Sequence, residues 1–258
     1  MNKKLIFFDI DGTLLDHEKE LPASTEEAIE KLKQAGHHVA IATGRGPFMF
    51  PDLRKKLGIS TYVSFNGQYV VLDEQPIHKT VLDKKELIRL TEEAVKTDHP
   101  VVFMDHKDMK ANIPFHDHIQ SSMGSLMYGH PDYDPSYLDG RDIYQSLLFC
   151  TAEEEMKYVK EFANAFDFIR WHEFSMDVLP KGGSKAEGIE AIVTKLAMKK
   201  EDVYVFGDGP NDIEMLEFTP NSVAMGNAVP AAKEAASFVS KDVDDDGIAY
   251  GLKHMGLL

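Results

Sequence analysis

Cysteine is nearly missing from this chain of 258 residues: Cys150 stands alone, and Trp171 is the single tryptophan. One thiol rules out an intramolecular disulfide and leaves no cysteine set for zinc, which fits a reducing, cytoplasmic setting. Basic residues are also scarce against acidic ones, 28 Lys+Arg to 43 Asp+Glu, for a formal net charge of −15. That balance argues against nucleic acid and against an anionic membrane as partners, because both would be repelled. An anionic small molecule would need local cations or a metal to draw it in. No stretch approaches the roughly 18 uninterrupted apolar residues of a membrane span. The short apolar run after Lys3-Lys4 is cut by Asp9, unlike the core of a secretion signal. Repeats and low-complexity linkers are absent as well. The length suits one large α/β domain or a core carrying a smaller insertion, and the expected assembly is a monomer or a homodimer.

What is present is concentrated first in Leu5-Ile6-Phe7-Phe8-Asp9-Ile10-Asp11-Gly12-Thr13. The apolar run is too short for a helix and too continuous for a half-exposed strand, so it reads as a buried parallel strand. In such sheets ligands bind beyond the carboxyl ends of the strands, where Asp9 and Asp11 sit. Gly12 lets the backbone turn sharply there. Standing alone, the motif would read as a solvated Asp-x-Asp-Gly turn.

Further along, Ser24 and Glu27 have the spacing of a capping box opening a helix whose buried stripe is Ala28, Ile29, Leu32 and Ala35. His38 to Ala42 is a second buried strand ending in Thr43-Gly44-Arg45-Gly46, so the order is β-α-β with a right-handed crossover. Pro47 to Leu57 reads as a helix, and Asn66-Gly67 between Tyr62–Phe65 and Gln68–Val71 reads as a hairpin turn, which explains Asn66 as well as a ligand contact does. From about Leu82 the texture changes. A helix opened by Asp83, with Leu87, Leu90, Ala94 and Val95 on one side, and a strand at Pro100 to Met104 are followed by a polar stretch, Asp105 to Gly140, without a clear element. Ile143 to Phe149, Phe168 to Trp171 and Phe174 to Leu179 then read as strands, and Ala152 to Ala165 as a helix. None of these strands is tipped with acids, which marks an insertion. After Pro180 to Lys185 come a helix with Ile189, Ile192, Val193 and Leu196, the buried strand Val203 to Phe206, and Gly207-Asp208-Gly209-Pro210-Asn211-Asp212 before another helix. One more strand, from Ser222, and one more helix, to Ala236, complete the expected core.

Four stretches thus converge: Asp9/Asp11, Thr43/Gly44, Lys185 and Asp208/Asn211/Asp212. Clustered carboxylates repel one another unless a cation neutralises them, and an all-oxygen set suits Mg²⁺ better than softer metals. The Thr43 hydroxyl, backbone N–H groups around Ile10 and Gly44, the Lys185 ammonium and the Asn211 amide are suited to phosphoryl oxygens. Asp9 could then attack phosphorus and Asp11 could serve as acid and base, although spacing alone does not prove that order of roles.

The four stretches resemble, in order, the four motifs of the haloacid dehalogenase superfamily, and the insertion resembles the large cap of its Cof-type sugar-phosphate phosphatases. The likeness extends over the full chain, including Asp245-Asp246-Gly247-Ile248. It implies a doubly wound, Rossmann-like parallel α/β core over 1–81 and 182–258, with an α/β cap over 82–181 that sets specificity. It further implies hydrolysis of a small phosphate monoester through an aspartyl-phosphate. Asp9 would be the nucleophile and Asp11 the acid/base. Mg²⁺ would be held by Asp9, Asp208 and the Asp11 carbonyl. Phosphate would be bound by Ile10 (backbone), Thr43, Gly44, Lys185 and Asn211, with Asp212 supporting. Two rivals share parts of this set: a phosphomutase, whose usual small helical cap is at odds with an interval from Asp11 to Thr43 that has room only for a turn and one helix, and a phospho-aspartate switch without turnover, against which the Lys185 and Asn211 set and the large insertion speak.

Other residues carry plainer expectations. Arg45 reads equally as a substrate clamp or a salt-bridge partner, and Lys181 competes with Lys185 for the phosphate role. His116-Asp117-His118 reads as a solvated loop, not a zinc site. Met104, Met109, Met123, Met127 and Trp171 read as core of the insertion, and Cys150 as a buried, unreactive thiol.

Overall fold

The structure, a computed structural model, describes residues 3–258. The chain forms two compact units: one of Met1–Arg45, Phe50–His78 and Ser184–Leu258, the other of Gly46–Met49 and Lys79–Gly183. The sequence-based boundaries lie at 81/82 and 181/182, and the short segment Gly46–Met49, not anticipated, groups with the second unit. No described helix is long and apolar enough to cross a membrane.

The first unit begins with β1 (Leu5–Phe8), every residue of which is buried. Its lack of alternation follows from being covered on both faces. The helix α1 (Ala23–Gln34) buries Ala28, Ile29 and Leu32 but does not start with the expected capping box. Pro22 stands at the N-cap, its carbonyl accepts from Thr25 N and Glu26 N, and the Ser24 hydroxyl is buried without a partner. Proline's fixed φ already suits entry into a helix, so the start moves upstream of Ser24. β2 (His38–Ala42) runs parallel to β1, with Ile41 opposite Phe8. The expected helix from Pro47 is split into a 3₁₀ turn, Pro47–Met49, and α2 (Pro51–Leu57), because Pro51 lacks the N–H that would continue the preceding turn. β3 (Tyr62–Ser64) and β4 (Tyr69–Leu72) form the hairpin expected around Asn66-Gly67, and β5 (Gln75–Lys79) follows at the sheet edge.

The second unit holds α3 (Lys84–Val95), β6 (Val101–Met104), β7 (Met109–Ala111), α4 (Asp117–Ser125), β8 (Gln145–Phe149), α5 (Met156–Glu161), β9 (Phe166–His172) and β10 (Ser175–Pro180). The strands make an antiparallel sheet in the order β7-β6-β8-β10-β9. As expected, Asp83 caps α3, accepting from Glu86 N, but Val95 faces solvent. The stretch 105–140, which showed no clear element in sequence, contains β7 and α4. His116 Nδ1 accepts from His118 N at the start of α4, so the His-Asp-His run opens a helix and is no solvated loop. Met104, Met109 and Met123 are buried, whereas Met127 is 78% exposed. Cys150 is buried in the apolar core of this unit, which pushes its thiol pKa up and keeps it unreactive.

The chain re-enters the first unit through α6 (Lys185–Lys195), β11 (Val203–Gly207), α7 (Ile213–Phe218), β12 (Ser222–Ala224), α8 (Pro230–Ala235), β13 (Phe238–Val239) and α9 (Gly247–His254). The last strand and helix exceed the single pair expected after Ser222, since a two-residue strand has no readable period. The completed sheet has the order β13-β12-β11-β1-β2-β3-β4-β5, parallel from β13 to β3. Leu5 and Phe7 pack with Ile189, Ile192 and Val193 of α6 on one face. On the other, Phe8 lies 4.9 Å from the Phe206 ring, and Gly251 of α9 comes close enough that a Cβ there would sit 2.8 Å from Phe206. Helices therefore cover both faces. The strand order departs in opposite directions from the β1/β11 pair, which places a topological switch point where Asp9 and Asp208 leave the sheet.

Candidate active site

At the end of β1 the chain turns at once: Leu14 N donates to the Asp9 carbonyl and Leu15 N to that of Ile10. Gly12 makes the turn possible, with φ of +77° and so little space that a Cβ would lie 2.4 Å from Asp208 Oδ2. The Asp9 side chain is buried, and its Oδ1 accepts from Lys185 Nζ at 2.7 Å. The same ammonium donates to Asp212 Oδ1 at 2.6 Å, while Asp212 Oδ2 accepts from the backbone N–H groups of Asp208 and Gly209, each at 2.8 Å. Asp212 is thus fully engaged in fixing Lys185 and the loop after β11. Lys185 reaches this position as the first residue of α6, whose N-cap Ser184 accepts from Glu187 N. Lys181 instead pairs with Asp167 inside the second unit, whereas Lys185 lies against Asp9.

Asp9, Asp208 and Asp212 offer carboxylate oxygens all within 4.8 Å of one another. Burial pushes the Asp9 carboxyl well above the usual carboxylate range; Lys185 opposes this, and the charges of Asp212, Asp208 and Asp11 add to it. Asp208 is pushed up to about 7 by burial and then by Asp212, against a hydrogen bond from the Thr13 hydroxyl at 2.7 Å. Burial alone would lower Lys185, but Asp212 and Asp9 outweigh it and hold the ammonium charged. Three carboxylates facing one ammonium leave an excess of negative charge, and that donor set, all oxygen with Asp9 and Asp212 buried and Asp208 half-buried, fits a hard divalent cation.

Asp11 stands apart from that cluster. Its Oδ2 accepts from Arg45 Nε at 2.7 Å, and its Oδ1 accepts from Arg45 Nη2 at 2.6 Å and from Lys19 Nζ at 2.8 Å. Of the two expectations for Arg45, the ion pair is the one the structure contains. Burial raises the Asp11 carboxyl, but the Arg45 and Lys19 contacts more than offset it and leave the group below its ordinary value.

Thr43 is buried, and its hydroxyl accepts from Arg45 N at 3.1 Å. Asn66 is held at φ of +50° by the hairpin, its N–H donating to the Thr43 carbonyl. Its side-chain oxygen accepts from Asn211 Nδ2 at 2.9 Å, and a Cβ on Gly44 would sit 3.1 Å from its amide. The turn residue therefore joins Gly44 and Asn211 in the site. The Ile10 side chain is fully buried, so only its backbone is available to a ligand. Three residues were not assigned a role from sequence: Thr13, Lys19 and Asn227, whose amide donates to the Gly12 carbonyl at 2.8 Å. Thr13 was legible as part of Asp-Gly-Thr. Lys19 and Asn227 sit in turns with no periodic signal.

A family model for haloacid dehalogenase-like hydrolases matches residues 6–252. The chain belongs to that family. Across the full length of both proteins it is 49% identical to the Bacillus subtilis (strain 168) protein named "Putative phosphatase YkrA". A crystal structure of a hypothetical protein from Geobacillus kaustophilus HTA426 is 56% identical, with a TM-score of 0.93 and full coverage of both chains. The HAD subclass IIB sugar phosphatase BT4131 is 31% identical, with a TM-score of 0.89, over 99% of this chain and 100% of that one. The protein is accordingly a hydrolase of the haloacid dehalogenase superfamily, a phosphatase, and the acid-tipped β1/β11 switch point is where its family-matched span brings the clustered carboxylates together.

Proposed function

We propose that this enzyme is a Mg²⁺-dependent phosphatase that hydrolyses a small phosphate monoester, a sugar phosphate or similar metabolite, through an aspartyl-phosphate on Asp9. The observation that carries the reading is the buried Asp9 carboxylate, placed at the end of β1 with Lys185 on one oxygen and Asp208 beside it. Asp9, Asp208 and the Asp11 backbone carbonyl would hold Mg²⁺, which when bound neutralises the carboxylates and the phosphoryl charge.

In the first half-reaction an Asp9 oxygen bonds to phosphorus, the ester P–O bond breaks, and Asp11 gives a proton to the departing oxygen. In the second, water bonds to phosphorus, the Asp9–phosphorus link breaks, and the proton from water passes to Asp11. Lys185, the Asn211 amide, the Thr43 hydroxyl and the backbone N–H groups of Ile10 and Gly44 are assigned to the phosphoryl oxygens, and Asp212 keeps Lys185 in place. The pairing of Asn66 with Asn211 supports Asn66 as an orienting partner. The second unit is assigned the choice of leaving group. A net charge of −15 supports a small molecule over nucleic acid as the substrate.

The test is phosphate release across sugar phosphates, nucleotides, pyridoxal phosphate and flavin precursors, with Mg²⁺ present and then chelated. Release that stops with chelation and returns with Mg²⁺ is expected, and full activity in excess chelator would overturn the metal assignment. Isomerised product without free phosphate would make the protein a mutase.

A further inference from the structure

The run Met225-Gly226-Asn227-Ala228-Val229 leaves β12 with no assigned part in the chemistry, yet it touches both loops that carry the acids. Asn227 Nδ2 donates to the Gly12 carbonyl at 2.8 Å, in the turn after β1, and Val229 N donates to the Asp208 carbonyl at 3.0 Å, in the loop after β11. The run is also anchored from behind. Gly226 N donates to the Lys241 carbonyl at 2.7 Å, and Asn227 Oδ1 accepts from Val243 N at 3.0 Å. Asn227 therefore meets a carbonyl with one end of its amide and an N–H with the other. A primary amide satisfies both, whereas a carboxylate has no donor and an alkyl chain has neither group.

The contact with Gly12 matters because little else holds that peptide. Gly12, at φ of +77°, lacks the restraint of a Cβ, and Thr13 N, in the same peptide plane as the Gly12 carbonyl, reaches the Ile10 carbonyl only at 3.4 Å. That is outside the usual range of about 2.7–3.2 Å, so the Asn227 bond is the stronger hold. From this peptide the Thr13 hydroxyl donates to Asp208 Oδ1 at 2.7 Å. We propose that Asn227 is a positioning residue for the cation site: by fixing the Gly12–Thr13 peptide it sets the Thr13 hydroxyl, and through that hydroxyl the Asp208 carboxylate. The proposal rests on the assignment of Asp208 to Mg²⁺ above. Groups that orient a metal ligand through a hydrogen bond typically contribute about 10–100-fold to metal affinity. Asn227 stands one contact further out, which places its effect at the lower end of that range.

The test uses the full chain and Mg²⁺ alone, with affinity read by calorimetric titration in the absence of substrate. Asn227→Ala should weaken Mg²⁺ binding about tenfold. Thr13→Val, which takes the hydroxyl from Asp208, should weaken it at least as much. The double variant Asn227→Ala/Thr13→Val should stay within about twofold of Thr13→Val alone, because both residues act along one chain of contacts. On p-nitrophenyl phosphate, Asn227→Ala should need about tenfold more Mg²⁺ for half-maximal rate. Once Mg²⁺ saturates, kcat should return to within about threefold of wild type with the substrate KM unchanged, since the reacting groups themselves are untouched. A residue that merely braced its loop would lower the thermal transition in chelator without these changes. Asn227→Ser keeps a polar loop residue whose hydroxyl is one bond shorter than the amide, and it carries the same predictions should Asn227→Ala fail to fold.

Wild-type Mg²⁺ affinity in a folded Asn227 variant, a full additional loss in the double variant, or a kcat that excess Mg²⁺ does not restore would overturn the proposal and leave Asn227 a brace for its loop. Asp208→Ala separates that failure from failure of the metal reading. If Asp208→Ala binds Mg²⁺ as tightly as wild type, the assignment of Asp208 falls. If Asp208→Ala loses the cation and Asn227→Ala keeps it, only the Asn227 proposal falls.

Discussion

Asp208 combines a carboxyl pushed up to about 7 with a position beside Asp9 and Asp212, so a proton would compete with the proposed cation for it. A carboxyl whose pKa is raised on folding is stabilised in its protonated form. For this group the contribution to stability is fully present below the unfolded value and is lost as pH rises through about 7 in the metal-free protein. Cation binding requires the ionised form, so Mg²⁺ affinity should increase over the same interval. At about pH 6 a group with a pKa near 7 is roughly nine-tenths protonated, which predicts Mg²⁺ binding about tenfold weaker than at about pH 8 in calorimetric titration. An affinity flat across that range would remove Asp208 from the cation site. Asp208→Ala should raise the Mg²⁺ requirement much more than the substrate KM. At Asp9 the expectation is sharper: Asp9→Asn keeps the shape and the contact with Lys185 but removes the nucleophile. Turnover should fall by several orders of magnitude while the thermal transition stays cooperative. Retention of even a tenth of wild-type activity would show that Asp9 forms no covalent bond.

Among the elements, α6 positions the site most directly, since Ser184 caps it and Lys185 is its first residue. Its Gly188 allows a close approach to β3: a Cβ there would lie 2.4 Å from Val63 Cγ1. Alanine is the better helix former by about 1 kcal/mol, but overpacking against a buried strand costs about 1–3 kcal/mol. Gly188→Ala should therefore destabilise the protein in urea unfolding and displace Lys185, and a stabilised variant would show that the helix has room to shift. These core elements were legible in sequence because β1, β2 and β11 are unbroken apolar runs, each ending in the polar residues that form the site. Elements fixed by single contacts were not legible. α4 begins at a histidine cap that lies outside the Ser/Thr/Asp/Asn preference, and α1 begins at a proline two residues ahead of a sequence that imitates a capping box. Asn66 reads equally as turn or ligand until the hairpin is seen to bring it to Asn211, and Lys19 becomes visible only when its turn folds back on Asp11.

For the whole molecule, every group assigned to phosphoryl chemistry lies in the first unit, and those contacts are the same for any monoester. Discrimination among leaving groups is therefore assigned to the second unit, Lys79–Gly183 with Gly46–Met49. Replacing residues 79–183 with a short Gly/Ser linker should leave measurable hydrolysis of p-nitrophenyl phosphate and flatten the ranking of natural phosphates, once circular dichroism shows the shortened chain folded. An unchanged order of kcat/KM in the folded variant would place specificity in the first unit. The account depends most on the covalent step, and rapid acid quench of the wild-type enzyme and of Asp11→Asn with ³²P-labelled substrate and Mg²⁺, followed by peptide mapping, tests that step most directly. The predicted result is hydroxylamine-sensitive label on the peptide carrying Asp9, transient in the wild type and accumulating in Asp11→Asn with a good leaving group. Phosphate release at full rate with no protein-bound label at any time would contradict the account.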